Sequence, residues 1–117
     1  MGYFTYDGTQ VQFDDRVLAH LQIVIVQKFL KQEAFLVSWK DSLSVGDGRG
    51  SAWLSPAIPI YFKFLGSKVP SINREWLLAL GKSADSSTGL IVTNENGELE
   101  EAQQEGQGYP GTLRSRS

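Results

Sequence analysis

Glu33-Ala-Phe-Leu-Val-Ser-Trp39, with Lys40-Asp41 at its exit, and Ser51-Ala-Trp-Leu-Ser55, separated by Ser42-Leu-Ser-Val-Gly-Asp-Gly-Arg-Gly50, decide how this chain folds. Each run is short and rich in apolar or aromatic residues, one carrying Trp39 and the other Trp53, and the segment between them is serine and glycine. That pattern is two strands joined by a long loop. A further run, Ile58-Pro-Ile-Tyr-Phe-Lys-Phe-Leu65, follows Pro56. Proline cannot donate to a ladder, so Pro56 and Pro59 place bends or sheet edges here. Strand alternation puts Tyr61 and Lys63 on one face and Phe62 and Phe64 on the other.

Working outward, Tyr3–Tyr6 and Gln10–Phe13 flank Asp7-Gly8, a dipeptide that favours primed hairpin turns. Asp14 or Asp15 then caps a helix over Arg16–Lys31, where Val17, Leu18, Leu21, Val24, Ile25 and Phe29 recur at helical spacing. The acidic start and Lys28 and Lys31 at the end suit the helix dipole. Beyond the turn at Gly66–Val69, the stretch Pro70–Leu80 reads as a second helix. Ser71 or Asn73 is its cap, and Trp76, Leu77 and Leu80 form its buried stripe. Asp85-Ser-Ser-Thr-Gly89 ends it, and Leu90–Thr93 forms a last short strand. From Asn94 the chain turns polar, acidic and glycine-rich, which predicts disorder, with a brief helix at Glu98–Glu105 as the alternative. The expected fold is α+β: a mainly antiparallel sheet of five to six short strands with two helices packed on one face. Residues 1–94 form one domain, and residues 95–117 form a disordered acidic tail.

Charge follows the same division. Residues 1–94 carry nine Lys/Arg against eight Asp/Glu, whereas Glu95, Glu98, Glu100, Glu101 and Glu105 make the tail acidic. A nearly neutral body argues against a strong, sequence-blind grip on duplex nucleic acid, which needs many phosphate-neutralising cations. There is no cysteine, which excludes disulfides, thiolate metal sites and cysteine nucleophiles. The amino terminus has no signal-peptide pattern, and Leu21–Val26, the longest apolar run, is too short to cross a bilayer. A cytoplasmic protein with no membrane partner and no cofactor is expected.

No catalytic motif stands out. Ser44-Val-Gly-Asp-Gly-Arg-Gly-Ser51 lies between strands and lacks the Gly-Lys-Ser/Thr ending of a phosphate loop. Only Asp47 resembles a calcium-loop ligand, and no metal is expected. The glycines are read as turn residues, with Arg49 and Lys40 as anion contacts if the loop is functional. His20, the only histidine, is read as a residue of the helix's polar border. Tyr3, Tyr6, Trp39, Trp53, Tyr61 and Phe64, interleaved with Lys40, Lys63 and Lys68, form either a stacking platform for single-stranded nucleic acid or a packed core. Core packing is favoured, with Trp76 the strongest core candidate and Trp53 the weakest.

Several motifs resemble a family of small proteins from high-GC Gram-positive bacteria (actinobacteria). They are Met1-Gly-x-Phe-x-Tyr-Asp-Gly, Phe13-Asp-Asp-Arg-x-Leu-Ala-His-Leu-Gln-x-Val-Ile, Phe35-x-x-Ser-Trp-Lys-Asp, Ser44-Val-Gly-Asp-Gly-Arg, Trp53-Leu-x-Pro and Pro70-Ser-Ile-Asn-Arg-x-Trp. The resemblance implies an uncharacterised domain, often labelled ATP-dependent DNA ligase. A ligase of that kind needs the nucleophile of Lys-x-Asp-Gly-x-Arg. Val45 stands at the lysine position here, and Arg49 follows Asp47-Gly48 directly.

The leading expectation is therefore a non-catalytic binding or accessory module. Loop 42–51, with Lys40, Asp47, Arg49, Trp53 and Lys63, contacts a protein or a single nucleic-acid strand. The alternatives are a ligase-associated or nucleotide-handling enzyme domain using His20 with Asp14, Asp15 or Asp47, and a structural homo-oligomer subunit. The oligomeric state is left open.

Overall fold

Two consecutive positive-φ residues, Asp7 at 49° and Gly8 at 84°, turn the chain between β1 (Gly2–Tyr6) and β2 (Thr9–Phe13). This is the primed geometry that matches strand twist, and it sets the register Tyr6↔Thr9 through Gly2↔Phe13. The computed structural model describes residues 1–42 and 48–106. Helix α1 (Asp15–Leu30) begins directly after β2, capped by the Asp14 carboxylate, which accepts from the Arg16 N–H at 3.1 Å. There follow β3 (Phe35–Asp41), β4 (Arg49–Leu54), β5 (Ile60–Phe64), α2 (Arg74–Ala84), β6 (Leu90–Ile91) and β7 (Glu101–Gly106). Of the two candidate caps for the second helix, Asn73 is used. Its side-chain oxygen accepts from Glu75 N at 3.0 Å and Trp76 N at 3.2 Å. The helix runs past Leu80 because Ala84 also reaches the core.

The strands form one seven-stranded sheet in the order β4-β3-β7-β2-β1-β5, with β6 also paired to β3. The α+β class and the two helices agree with the sequence, but the sheet is mixed rather than mainly antiparallel. Both β6 and β7 run parallel to β3, at Val37↔Leu90 and at Lys40↔Glu101. The larger correction concerns the tail. Residues expected to be disordered, or briefly helical, form β7 in the middle of the sheet. An Asn94 turn, in which the side-chain oxygen accepts from Asn96 N and Glu98 N, reverses the chain and feeds it into the gap between β2 and β3. Lys40 N–H then donates to Glu100 O at 3.1 Å and Ser42 N–H to Ala102 O at 3.2 Å. The demand of two flanking strands for backbone partners outweighs poor strand propensity. The rest of the expected tail, from residue 107, lies outside the described residues.

The sheet cannot be flat. Its edge strands β4 and β5 are consecutive in sequence, joined only by Ser55–Pro59. Six flat strands would set those edges about 24 Å apart. The connection reaches about 21 Å at full extension, and it is shortened by a turn in which Ile58 N–H donates to Ser55 O. The sheet therefore curls, and Tyr6 pins the curl: its hydroxyl accepts from Ser55 N–H at 2.7 Å, tying the end of β1 to the end of β4. The concave side holds Phe4, Val11, Phe13, Val37, Trp39 and Leu54, against which the buried faces of α1 and α2 pack. Phe13 meets the Trp39 ring edge-on at 6.3 Å. Trp39 lies over Gly50, where a Cβ would fall 2.5 Å from its indole nitrogen.

Tyr6→Phe removes the pin while keeping the ring. It leaves a half-buried Ser55 amide unpaired, so urea unfolding is expected to show a loss of about 1–2 kcal/mol. A loss below the scatter of surface substitutions would mean that the connection alone holds the curl.

Candidate binding surface

The alternation that buries one side of each strand exposes the other. In register, Leu36 faces Trp53, Ser38 faces Ser51, and Lys40 faces Arg49. The partners Val37/Ala52 and Trp39/Gly50 point to the core, so Lys40, Arg49 and Trp53 share the outer face of β3–β4. Arg49 and Trp53 are four residues apart on β4, about 13 Å along the strand. Trp53 is 62% exposed, the only one of the three tryptophans outside the core. Trp39 and Trp76 are both buried, in agreement with the ranking drawn from sequence.

The predicted site residues thus separate. Lys40, Arg49 and Trp53 come together. Lys63 stands on β5, at the opposite end of the strand order, where it shares an outward face with Tyr61 and Tyr3. The Tyr3 and Tyr61 ring centroids are 6.5 Å apart. Asp47 and residues 43–46 lie outside the described residues, so the loop itself contributes only Ser42 and Gly48–Ser51 to the described surface. The mixed fate of the aromatics follows from the pleat. Tyr6 and Trp39 face inward, Tyr61 and Trp53 outward, and Phe64 is half-buried against the core. Glu101 lies opposite Lys40 across the β3–β7 pair, so the face is not uniformly basic.

His20 is a correction. It is fully buried rather than on a polar border, and both ring nitrogens are engaged. Nδ1 lies 2.7 Å from the Arg16 carbonyl, and Nε2 accepts the Asn73 backbone N–H at 2.9 Å. Those partners assign the proton to Nδ1. The Trp76 ring covers the imidazole with centroids 4.1 Å apart, and the Arg16 guanidinium lies 5.5 Å from the other ring system's centroid. Arg16 also pairs with Glu95 and donates to the Ser71 carbonyl, while Asn73 Nδ2 donates to Glu95 at 2.7 Å. Trp76 Nε1 completes the cluster by donating to the Thr93 carbonyl at 2.8 Å. His20 therefore joins α1 to the start of α2 and presents no base to a cleft. Of its proposed acidic partners, Asp14 caps α1, and Asp15 accepts from the Gly66 N–H at 2.8 Å. Spacing on α1 suggested the border position; only the arrival of α2 over it decided burial.

Among the described residues, no group of three or more His, Asp or Glu side chains gathers in a form that could hold a metal ion. No helix among them is long and apolar enough to cross a membrane.

The arrangement is that of a curled sheet lined by helices inside, with Lys40, Arg49 and Trp53 on its outer face. The chain belongs to a family defined by a domain of unknown function, DUF7882, which matches residues 1–95. Comparisons with curated proteins and with solved structures returned no match. The family match ends before β7, so the strand that joins β2 to β3 lies beyond it.

Two carboxylates near this framework shift in opposite directions. The Arg16 hydrogen bond, aided by Asn73, holds Glu95 below its ordinary value of 4.5. Burial, with the charges of Asp14 and Glu101, pushes Glu100 above it. Glu95 therefore contributes stability above pH 4.5 that fades as pH falls through its depressed value. Glu100 acts with the other sign, favouring the fold below pH 4.5 and working against it as pH rises through its raised value. Thermal unfolding should show Glu95→Gln lowering Tm at pH 7 and converging on wild type in acid. Glu100→Gln should raise Tm at pH 7 and likewise converge in acid.

Proposed function

We propose that this chain is a non-catalytic binding module that holds a single nucleic-acid strand on the outer face of β3 and β4. The observation that carries this reading is Trp53: a large aromatic ring left 62% exposed on a rigid strand, sharing its face with Arg49 and Lys40. Ring faces stack on bases of any sequence, and nearby cations meet the backbone phosphates. Tyr61, Tyr3 and Lys63 repeat the combination separately, on the far strands β1 and β5. With Glu95–Glu105 folded into it, the described body carries nine Lys/Arg against twelve Asp/Glu, so the few cations on this face suit a modest, salt-sensitive grip on a flexible strand better than a duplex footprint. The enzyme alternative loses its main support with His20, whose two nitrogens serve the fold.

Titration of short oligo(dT) against tryptophan fluorescence tests the reading. Saturable quenching that weakens as salt rises is expected. Trp53→Ala should weaken binding about tenfold, the scale of one lost stacking contact, while stability stays within about 0.5 kcal/mol of wild type as for other surface changes. Arg49→Ala should lower the slope of log affinity against log salt by about 0.7, one phosphate contact. A flat response in the wild-type protein would sink the nucleic-acid reading and turn attention to a protein ligand on the same face.

A further inference from the structure

The sheet ends on β5, which pairs with β1 on one side and with no strand on the other. Its alternation is clean: Ile60, Phe62 and Phe64 pack against the core, and Tyr61 and Lys63 point outward. The inward residues stay half-buried, whereas the β1 partners of Ile60 and Phe62, Tyr6 and Phe4, are closed off. That difference is what a missing neighbour on the far side leaves. Ile, Tyr and Phe are strong strand formers, and a row of them beside an open ladder is a template for a further strand.

The chain just beyond β5 continues the patch. Leu65 is 62% exposed and Val69 94%. Phe64, Val69 and Pro70 line a recess of about 280 Å³ together with Ala19 and Gln22 of α1. Four of the ten exposed large apolar residues among the described ones, Tyr61, Leu65, Val69 and Ile72, fall within residues 61–72. Such a concentration marks a contact surface. The other sheet edge, β4, offers Gly50, Ser51 and Ala52 where β5 has Tyr61 and Phe62.

Charge decides the occupant. Residues 58–72 carry Lys63 and Lys68 and no acidic residue, on a body in which acidic residues outnumber basic ones. Asp15, which reaches this end of β5, is already engaged by the Leu65 and Gly66 amides and the Met1 amine. A second copy is a poor match. Two-fold antiparallel pairing of β5 with itself puts both Lys63 side chains on one face, with no carboxylate from either strand beside them. Edge lysines discourage self-pairing in this way. A strand that brings its own carboxylates meets no such obstacle.

We propose that the open edge of β5 takes an extended segment of a partner protein as an added strand, one that alternates apolar with acidic residues. Its apolar side chains lie beside Ile60, Phe62 and Phe64, and its carboxylates lie on the face of Lys63. The main chain supplies the ladder hydrogen bonds, and the alternation supplies selectivity. This site is at the opposite end of the strand order from the Trp53 face and does not depend on it.

A ¹H–¹⁵N spectrum of the full chain tests this with three synthetic octapeptides: Val alternating with Glu, Val alternating with Lys, and the Val–Glu peptide with proline at its centre. The Val–Glu peptide should shift the Ile60–Phe64 amides saturably and leave the Trp53 indole signal in place. The Val–Lys peptide should bind about fivefold more weakly, the scale of one cross-strand charge pair. The proline peptide, which lacks a ladder donor, should not bind. Lys63→Glu, an exposed change, should reverse the preference between the Val–Glu and Val–Lys peptides. Equal binding of all three peptides, an unchanged preference in Lys63→Glu, or no shift in β5 overturns the proposal. Signals of β5 that move with protein concentration alone overturn it in favour of a second copy. Oligo(dT) separates the two sites. If it moves Trp53 while no peptide moves β5, the edge site falls and the nucleic-acid reading survives. If the Val–Glu peptide moves β5 while oligo(dT) leaves Trp53 still, the edge site stands and the nucleic-acid reading falls.

Discussion

The shape of the sheet follows from the shortness of one connection. Ser55–Pro59 joins the two edge strands of the sheet, and a chain of that length cannot bridge a flat sheet of this width. The sheet must curl, and the Tyr6 hydroxyl on the Ser55 amide holds the curl at the end where the edges approach. Curling gives the sheet a concave side deep enough to take two helices and turns Trp53 and Tyr61 outward to solvent.

The helices are held by a different device, a stack of Arg16, Trp76 and His20 closed by Glu95 and Asn73. Its parts come from α1, the N-cap of α2 and the segment after β6, three regions distant in sequence. A buried histidine with both nitrogens satisfied suits this role: one side chain meets the Arg16 carbonyl near the helix start and the Asn73 amide ahead of the next helix. Lys28 works similarly at the other end of α1, bonding Glu33 at 2.8 Å and Asp85 at 3.0 Å, so that the end of α2 is also anchored. The chain's few titratable residues in these clusters serve the scaffold, which leaves the outer face of β3–β4 and the open edge of β5 as the places where chemistry is unspent.

Membership of the DUF7882 family covers residues 1–95, and β7 stands outside that match while occupying the centre of the sheet. Its alternation buries Ala102 and exposes Glu101 and Gln103, and its backbone meets β3 and β2 on either side. A strand with one small apolar side chain adds little hydrophobic stabilisation. Its contribution is to satisfy the backbone edges that β2 and β3 would otherwise leave open.

Local chemistry made much of this protein legible from sequence. Asp7-Gly8 specified its turn because the required positive φ angles admit few residues. The cap pairs Asp14/Asp15 and Ser71/Asn73 marked their helices because a side-chain oxygen placed there meets orphan amides, and the structure uses Asp14 and Asn73. The alternation through Tyr61–Phe64 named its own inward and outward faces. Lys40, Arg49 and Trp53 were singled out from the composition of the 42–51 loop and its flanks, and only the pairing of β3 with β4, which begins at Arg49 rather than after the loop, puts them on one face. Lys63 was assigned correctly to a face but not to an edge, since pairing order leaves no local trace. What tertiary structure alone decided was everything that depends on a partner distant in sequence. The burial of His20 waited on α2, the seat of Trp39 over Gly50 on the pairing of β3 with β4, and β7 on two edges that needed filling. Glu-Ala-Gln-Gln-Glu-Gly has no hydrophobic period to read; its conformation is set by the hydrogen bonds of its neighbours rather than by its own side chains.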